Sequence, residues 1–211
     1  MIVYTCITNN KDLLHTMPEE EGVKYVCFSE KPLPNKQWEH RKLEYHDKNP
    51  RRVARWHKTH PHTLFPDEDI TIWIDGSLRM LEKPSYYASK LNNSFIGSRP
   101  HPTRDCIYQE MQAVKYFNYE TDDNLLRIYR RLKMMKYPEN NGLAETGLLV
   151  RKNNDEATKF NEEWWMMINR MSLRDQLSFN YILWKQKKTY DIINRHSVVF
   201  EGHVKPTTQE E

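Results

Sequence analysis

The run ITIWIDGS, residues 70–77, constrains the fold more than any other stretch of the chain. Ile70, Thr71, Ile72, Trp73 and Ile74 form an almost unbroken series of β-branched and aromatic residues, the pattern of a strand covered on both faces. The run stops on Asp75, followed at once by Gly76 and Ser77. A carboxylate at the end of a buried strand is held at the sheet's edge, where open α/β folds place their ligands. Asp-Gly-Ser is also good turn chemistry, so the plainer alternative is an aspartate that caps a turn.

The rest of the chain supplies the partners such a strand needs. Residues 1–8, 23–29, 40–46, 95–100 and 147–152 read as strands. Residues 50–64, opening on Pro50, and residues 84–92, 104–119, 121–136, 155–171 and 172–186 read as helices. Strands alternating with helices predict an α/β fold with a mixed, mainly parallel sheet flanked by helices. A chain of 211 residues suits one such domain, here residues 1–206, with residues 207–211 a loose tail leading towards further domains.

Composition excludes several classes. No apolar run approaches the roughly 20 residues of a membrane-spanning helix, and the opening MIVYTCITNN lacks the features of a signal peptide, so the expected location is the cytoplasm. Cys6, Cys27 and Cys106 are too few and too scattered for a disulfide framework or a four-ligand zinc site, and read as buried small hydrophobes. Net charge is only +3, yet residues 41–58 gather Arg41, Lys42, Lys48, Arg51, Arg52, Arg55 and Lys58. That clustering suggests a phosphate-bearing ligand.

Three places carry candidate chemistry. Asp75, with Gly76 permitting close approach and Ser77 nearby, can hold a divalent cation against a diphosphate, because Mg²⁺ and Mn²⁺ share hard oxygen ligands with substrate phosphates. The basic segment, Arg52, Arg55 and Lys58 among it, would add charge-assisted contacts. In FEGHVKP, residues 200–206, His203 offers an imidazole for Mn²⁺ and Lys205 an ammonium for a phosphate; a surface histidine is the plainer alternative. In SLRDQLSFNY, Asp175 and Gln176 either face the reacting carbon of a bound sugar, or Asp175 simply caps the helix. Trp164 and Trp165 read as core, with a sugar-stacking wall as the other possibility.

These stretches, with RRVARWHKTHPHTLFPDEDITIWIDGSLRM, RPHPTRDCIYQEM and FNEEWW, resemble in order and spacing a glycosyltransferase-like family of plants and bacteria long described only as a domain of unknown function. The chain is also similar to the N-terminal glycosyltransferase domain of a large chlorella-virus protein. The resemblance implies a GT-A fold and metal-dependent transfer of a hexose or deoxyhexose, glucose or rhamnose in type, from a UDP-sugar to an oligosaccharide or glycoprotein glycan, with retention and Mn²⁺ or Mg²⁺ as cofactor. The viral likeness implies a capsid glycan as acceptor. By the same resemblance Asp75 and His203 hold the metal, Lys205 contacts the diphosphate, and Asp175 and Gln176 are catalytic. Donor contacts fall to Thr5, Ile7, Thr8, Arg52, Arg55, Lys58, Gly76 and Ser77, with residues 28–30 near the ribose. Two rivals remain: a metal-dependent nuclease or phosphatase built on Asp75 and the histidines of residues 56–62, and a catalytically inactive module binding a nucleotide-sugar or a nucleic acid.

Overall fold

The computed structural model describes residues 1–203. Nine strands and seven helices follow in the order β1 (Ile2–Cys6), β2 (Lys24–Phe28), β3 (Glu39–Arg41), α1 (Pro50–Thr59), α2 (Pro61–Leu64), β4 (Ile70–Ile74), β5 (Leu78–Met80), α3 (Pro84–Ala88), β6 (Ile96–Pro100), α4 (Ile107–Tyr116), α5 (Asp122–Met134), β7 (Ala144–Lys152), α6 (Asp155–Arg170), α7 (Gln176–Lys185), β8 (Asp191–Ile192) and β9 (Val198–Phe200). Seven strands form one sheet in the order β3-β2-β1-β4-β7-β6-β8, and β5 pairs with β9 in a small second sheet. β3, β2, β1 and β4 are mutually parallel, β7 runs against both its neighbours, and β8 is parallel to β6. The sheet is therefore mixed and mainly parallel.

β4 lies at the centre, and its run is buried because both faces are covered. Alternate residues feed two cores. Tyr4, Val26, Phe28, Trp73 and Leu149 pack beneath helices α4 to α7, with Trp164, Phe160, Phe179 and Ile182. Val3, Cys27, Ile72, Leu148 and Val150 face the other way, against Met17, Trp38, Tyr87 and Val198. The second face is covered by loops, α3 and the small sheet rather than by long helices. All three cysteines are buried and free, and among the described residues no helix is long and apolar enough to cross a membrane.

Some expected elements differ in extent. Residues 40–46 pair only as Glu39–Arg41, since Lys42 to Asn49 turn away to place the Asn49 cap of α1. The helix expected over 84–92 ends at Ala88. β7 begins three residues before the expected Gly147, and the short strands β5, β8 and β9 were not foreseen; two or three residues carry too little pattern to register. The expected tail, 207–211, lies outside the described residues.

The strand order also locates the functional edge. The chain steps outward from β1 to β2 to β3, then returns to lay β4 on the opposite side of β1. The carboxyl ends of β1 and β4 thus diverge at a topological switch point, the place where open α/β sheets leave a crevice.

Candidate active site

A cleft of about 840 Å³ opens at that point. Its floor is the end of β1, Cys6 to Asn9, and the end of β4, Asp75 to Leu78; Glu145 to Gly147 of β7, Arg174 to Gln176, Asn49 to Arg51 and His203 complete it. Ile7, Thr8, Arg55, Asp75, Gly76, Ser77, Asp175, Gln176 and His203, dispersed over almost 200 positions, are brought to this one cavity.

Asp75 is held by its surroundings. Its amide donates to the Gly147 carbonyl at 2.8 Å and its own carbonyl accepts from Leu78. Oδ1 accepts from Trp73 Nε1 at 2.7 Å and lies 3.6 Å from Lys58 Nζ. Oδ2 sits over Gly147, where a Cβ would come within 3.3 Å of it and 2.7 Å of Leu78 Cδ1. Gly76 is equally pressed, its open side filled by Ile7 and Asp12.

Asp175 immediately precedes α7, but its side chain makes no capping hydrogen bond. Oδ2 instead accepts from Lys58 Nζ at 2.5 Å and Thr146 Oγ1 at 2.9 Å, and Oδ1 pairs with Arg55 at 3.2 Å. Burial alone would raise this carboxyl, but Arg55, Lys58 and the two hydrogen bonds outweigh it and hold Asp175 well below the usual carboxylate range. Trp164 is core, as expected, and its Nε1 supports the Asp175 carbonyl at 3.3 Å. Trp165 packs on Tyr45 and His60, away from the cleft.

Lys58 joins the two carboxylates. Its side chain is fully enclosed, with the ammonium between the rings of Trp73 and Trp164. Its carbonyl accepts from Tyr4 Oη and from Arg151 Nη1, so the end of α1 is anchored through backbone and side chain alike. Lys58 therefore braces the cleft from below rather than lining it.

The helix explains which basic residues reach the cleft. Asn49 caps α1 by accepting from the Arg51 amide, and Pro50 occupies its first turn. Arg51, Arg55 and Lys58 are spaced i, i+4, i+7 and share one face. Arg52, a quarter-turn round, points to Asn169 of α6 and to Asp47, outside the cleft. Arg51 lines the cleft in its place, and burial together with nearby Arg174 and Arg55 lowers its pKa from the ordinary value. Arg51, Arg55 and Arg174 all line the cleft.

Other expected contacts separate in the same way. Thr5 is buried below the cleft, its hydroxyl without an acceptor among the described residues. Of residues 28–30, Glu30 accepts from the Asn9 amide and none lines the cavity. Lys205 lies outside the described residues. His57, His60 and His62 of the nuclease alternative are engaged elsewhere, with the Val53 carbonyl and Glu44 amide, the Trp56 ring and Glu162 respectively.

His203 meets an unforeseen partner, Asp12, whose Oδ1 lies 2.7 Å from Nδ1. With the Nδ1 proton on that contact, Nε2 carries the lone pair and has no partner among the described residues, an arrangement compatible with a metal-ligating imidazole. Among the described residues no group of three carboxylate, thiol or imidazole ligands surrounds one point. Asp75 and His203 line the same cleft, and a cation there would need water and phosphate oxygens to complete its coordination, as Mg²⁺ and Mn²⁺ accept.

Comparison with known proteins decides the family. Residues 39–202 match the TOD1/MUCI70 glycosyltransferase-like domain. The chain belongs to this family. It is 24% identical over 144 residues to the probable hexosyltransferase MUCI70 of Arabidopsis thaliana, a match covering 63% of this chain and 25% of that protein. The match thus spans about a quarter of the curated relative's length. Among solved structures, the bifunctional glycosyltransferase WbbM superposes with a TM-score of 0.57 at 11% identity, over 90% of this chain and 38% of that one. Mouse xyloside xylosyltransferase 1 superposes with a TM-score of 0.54 at 11% identity, over 92% and 84%. At such identity the likeness is one of fold, and the fold of this family member is GT-A. A glycosyltransferase involved in glycosylation of the major capsid of PBCV-1 matches at a TM-score of 0.44 and 9% identity, over 75% and 66%, too loosely to bear on function.

The residues that sequence reasoning missed are Asp12, Arg99, Glu145, Thr146 and Arg174. Arg174 stands beside Asp175 in the same quoted motif. Arg99, Glu145 and Thr146 sit on β6 and β7, whose pairing no local pattern reveals, and Asp12 lies in the loop after β1.

Proposed function

We propose that this domain transfers a hexosyl or deoxyhexosyl group from a UDP-sugar to a glycan. The observation that carries the reading is the convergence of Arg51, Arg55 and Arg174 with the strand-end carboxylate Asp75 in one cleft at the switch point. Guanidiniums lining one cleft suit a diphosphate, which can accept bidentate contacts from them. The family assignment and the hexosyltransferase name of its plant relative support the same conclusion.

Asp75 Oδ2 and His203 Nε2 would hold Mn²⁺ or Mg²⁺, which supplies neutralisation of the charge that develops on the leaving diphosphate. Arg51 and Arg55 would act on the same charge, Arg55 held in place beforehand by Asp175 and the Leu173 carbonyl. Lys58 helps keep Asp175 ionised and braces both carboxylates in place. Asp175, held strongly acidic by its partners, is a poor general base. With Lys58, Thr146 and Arg55 on its two oxygens, its role is to orient Arg55 and the wall that faces the sugar, and the lack of a general base there favours retention over inversion. A capsid glycan as acceptor rests on the viral resemblance alone.

Calorimetric titration with UDP, with Mn²⁺ and then with EDTA, tests the reading. Binding that strengthens at least about tenfold with Mn²⁺, roughly 1.4 kcal/mol, is the expected result. Failure to bind UDP under either condition contradicts the donor assignment, and metal-independent binding contradicts the Asp75–His203 site.

A further inference from the structure

One part of the cleft is built but unused by the chemistry above. β6 and β7 pair regularly through Ser98 and Leu149, and then the register jumps so that Arg99 lies opposite Glu145. Thr146, Gly147 and Leu148 are taken up in the irregularity. Ser98 Oγ secures it, within hydrogen-bond reach of the carbonyls of both Glu145 (3.2 Å) and Leu148 (3.0 Å). Such irregularities are retained because they redirect side chains, and this one presents Arg99 and Glu145 to the cavity.

Arg99 is only 6% exposed. One terminal nitrogen meets Glu145 Oε2 at 3.1 Å and the other the Val198 carbonyl at 3.4 Å. Its Nε is buried with no acceptor among the described residues. Glu145, by contrast, is about one third exposed in its side chain, so its carboxylate has capacity beyond Arg99.

The position follows from the shared cavity. Glu145 and Gly147 are two residues apart on β7, Gly147 is the residue against which Asp75 Oδ2 rests, and Arg99, Glu145 and Asp75 all line the same cleft. Gln176 lies beside the pair, its side-chain amide donating to the Ala144 carbonyl. A ring joined to a diphosphate at Asp75 would thus reach Arg99 and Glu145 with the edge remote from its anomeric carbon.

We propose that Arg99 and Glu145 form the subsite that reads the hydroxyls of the transferred sugar. A carboxylate accepting from adjacent hydroxyls, beside a guanidinium that donates to them, matches a vicinal diol. It distinguishes sugars by the arrangement of those hydroxyls, as a site built to pair a hydroxyl rejects analogues that cannot. The proposal rests on the UDP-sugar reading and names the pair that determines which sugar is accepted.

The test titrates the full chain, with Mn²⁺, against UDP, UDP-glucose, its C4 epimer UDP-galactose, and UDP-xylose. One or more sugar nucleotides should bind about tenfold tighter than UDP. Glu145→Gln, nearly isosteric, should erase that increment and leave UDP affinity unchanged; Arg99→Met should do the same. Arg99 also holds the Val198 carbonyl, so if Arg99→Met does not fold, Glu145→Gln alone decides. A sugar increment that survives Glu145→Gln, or a wild-type chain that gains nothing from any of the three sugars, overturns the subsite while UDP binding stands. Absence of UDP binding overturns the transferase reading and the subsite with it.

Discussion

Asp175 shows how a residue can be legible by type and opaque by role. The sequence offers a helix cap or a sugar-facing carboxylate, and the side chain makes no cap at all because Lys58 and Arg55, 117 and 120 positions earlier, reach it first. Spacing within α1 separates Arg51, Arg55 and Lys58 from Arg52, but which face turns inward depends on packing against α6 and β1, invisible in the sequence. Asp175→Asn keeps the shape, removes the charge and leaves Lys58 with Asp75 alone. The expected losses are about 3 kcal/mol of stability, at the low end for a broken buried pair, and at least roughly 100-fold in turnover with little change in donor affinity. Denaturant unfolding and initial rates measure the two separately, and collapse of affinity with turnover preserved would make Asp175 a binding residue. His57 provides the pH signature. Its Nδ1 contacts the Val53 carbonyl and its Nε2 accepts from the Glu44 amide, and burial pushes its pKa down to about 4. The unfolded imidazole titrates near 6.5, so the unfolded chain binds the extra proton in between. The contribution is full above pH 6.5 and fades as pH falls towards 4, by roughly 3 kcal/mol in all. His57→Gln should flatten that part of the stability profile; an unchanged acid slope would assign it to other groups.

At the scale of elements, the long and strongly patterned segments were readable. β4 matches its expected bounds, and α5, α6 and the body of α1 differ from theirs by a few residues. Their apolar periodicity is local, so no knowledge of partners is needed. The β6–β7 irregularity was not readable, because it exists only between two strands separated by more than 40 residues. For the same reason Arg99 and Glu145 escaped notice while Asp75, at the end of a plain buried run, did not. β7 also carries the tightest steric demand in the site. Gly147→Ala would place a methyl 2.7 Å from Leu78 Cδ1 and 3.3 Å from Asp75 Oδ2. Leu78 or the strand must shift, with a cost of about 1–3 kcal/mol. Metal-assisted UDP binding should weaken further than stability alone explains, since Asp75 Oδ2 is displaced. Equal binding by this variant in Mn²⁺ would show that the Asp75–Gly147 contact plays no part in the site.

For the molecule as a whole, the topology does the assembling. Stepping outward through β2 and β3 and returning at β4 opens one crevice, and the carboxyl edge of a mainly parallel sheet delivers Thr8 and Asp75 to it. The antiparallel β7 then inserts Glu145 and Thr146 from the other side, and the last described residue, His203, closes the cavity by meeting Asp12 across 191 positions. The pocket was anticipated from the strand-end carboxylate and the clustered bases; its second wall was not, because antiparallel insertion leaves no local mark. The central claim is that this assembly transfers sugar from a nucleotide and that Asp75 is indispensable to it. The direct measurement is release of UDP from a panel of UDP-sugars by the full chain in Mn²⁺, for wild type and Asp75→Ala, with unfolding curves confirming that both are folded. Wild type should release UDP with at least one donor, and a folded Asp75→Ala variant should lose about 100-fold or more of that rate, as removal of the metal-holding carboxylate requires. Near-normal release by that variant would contradict the central claim.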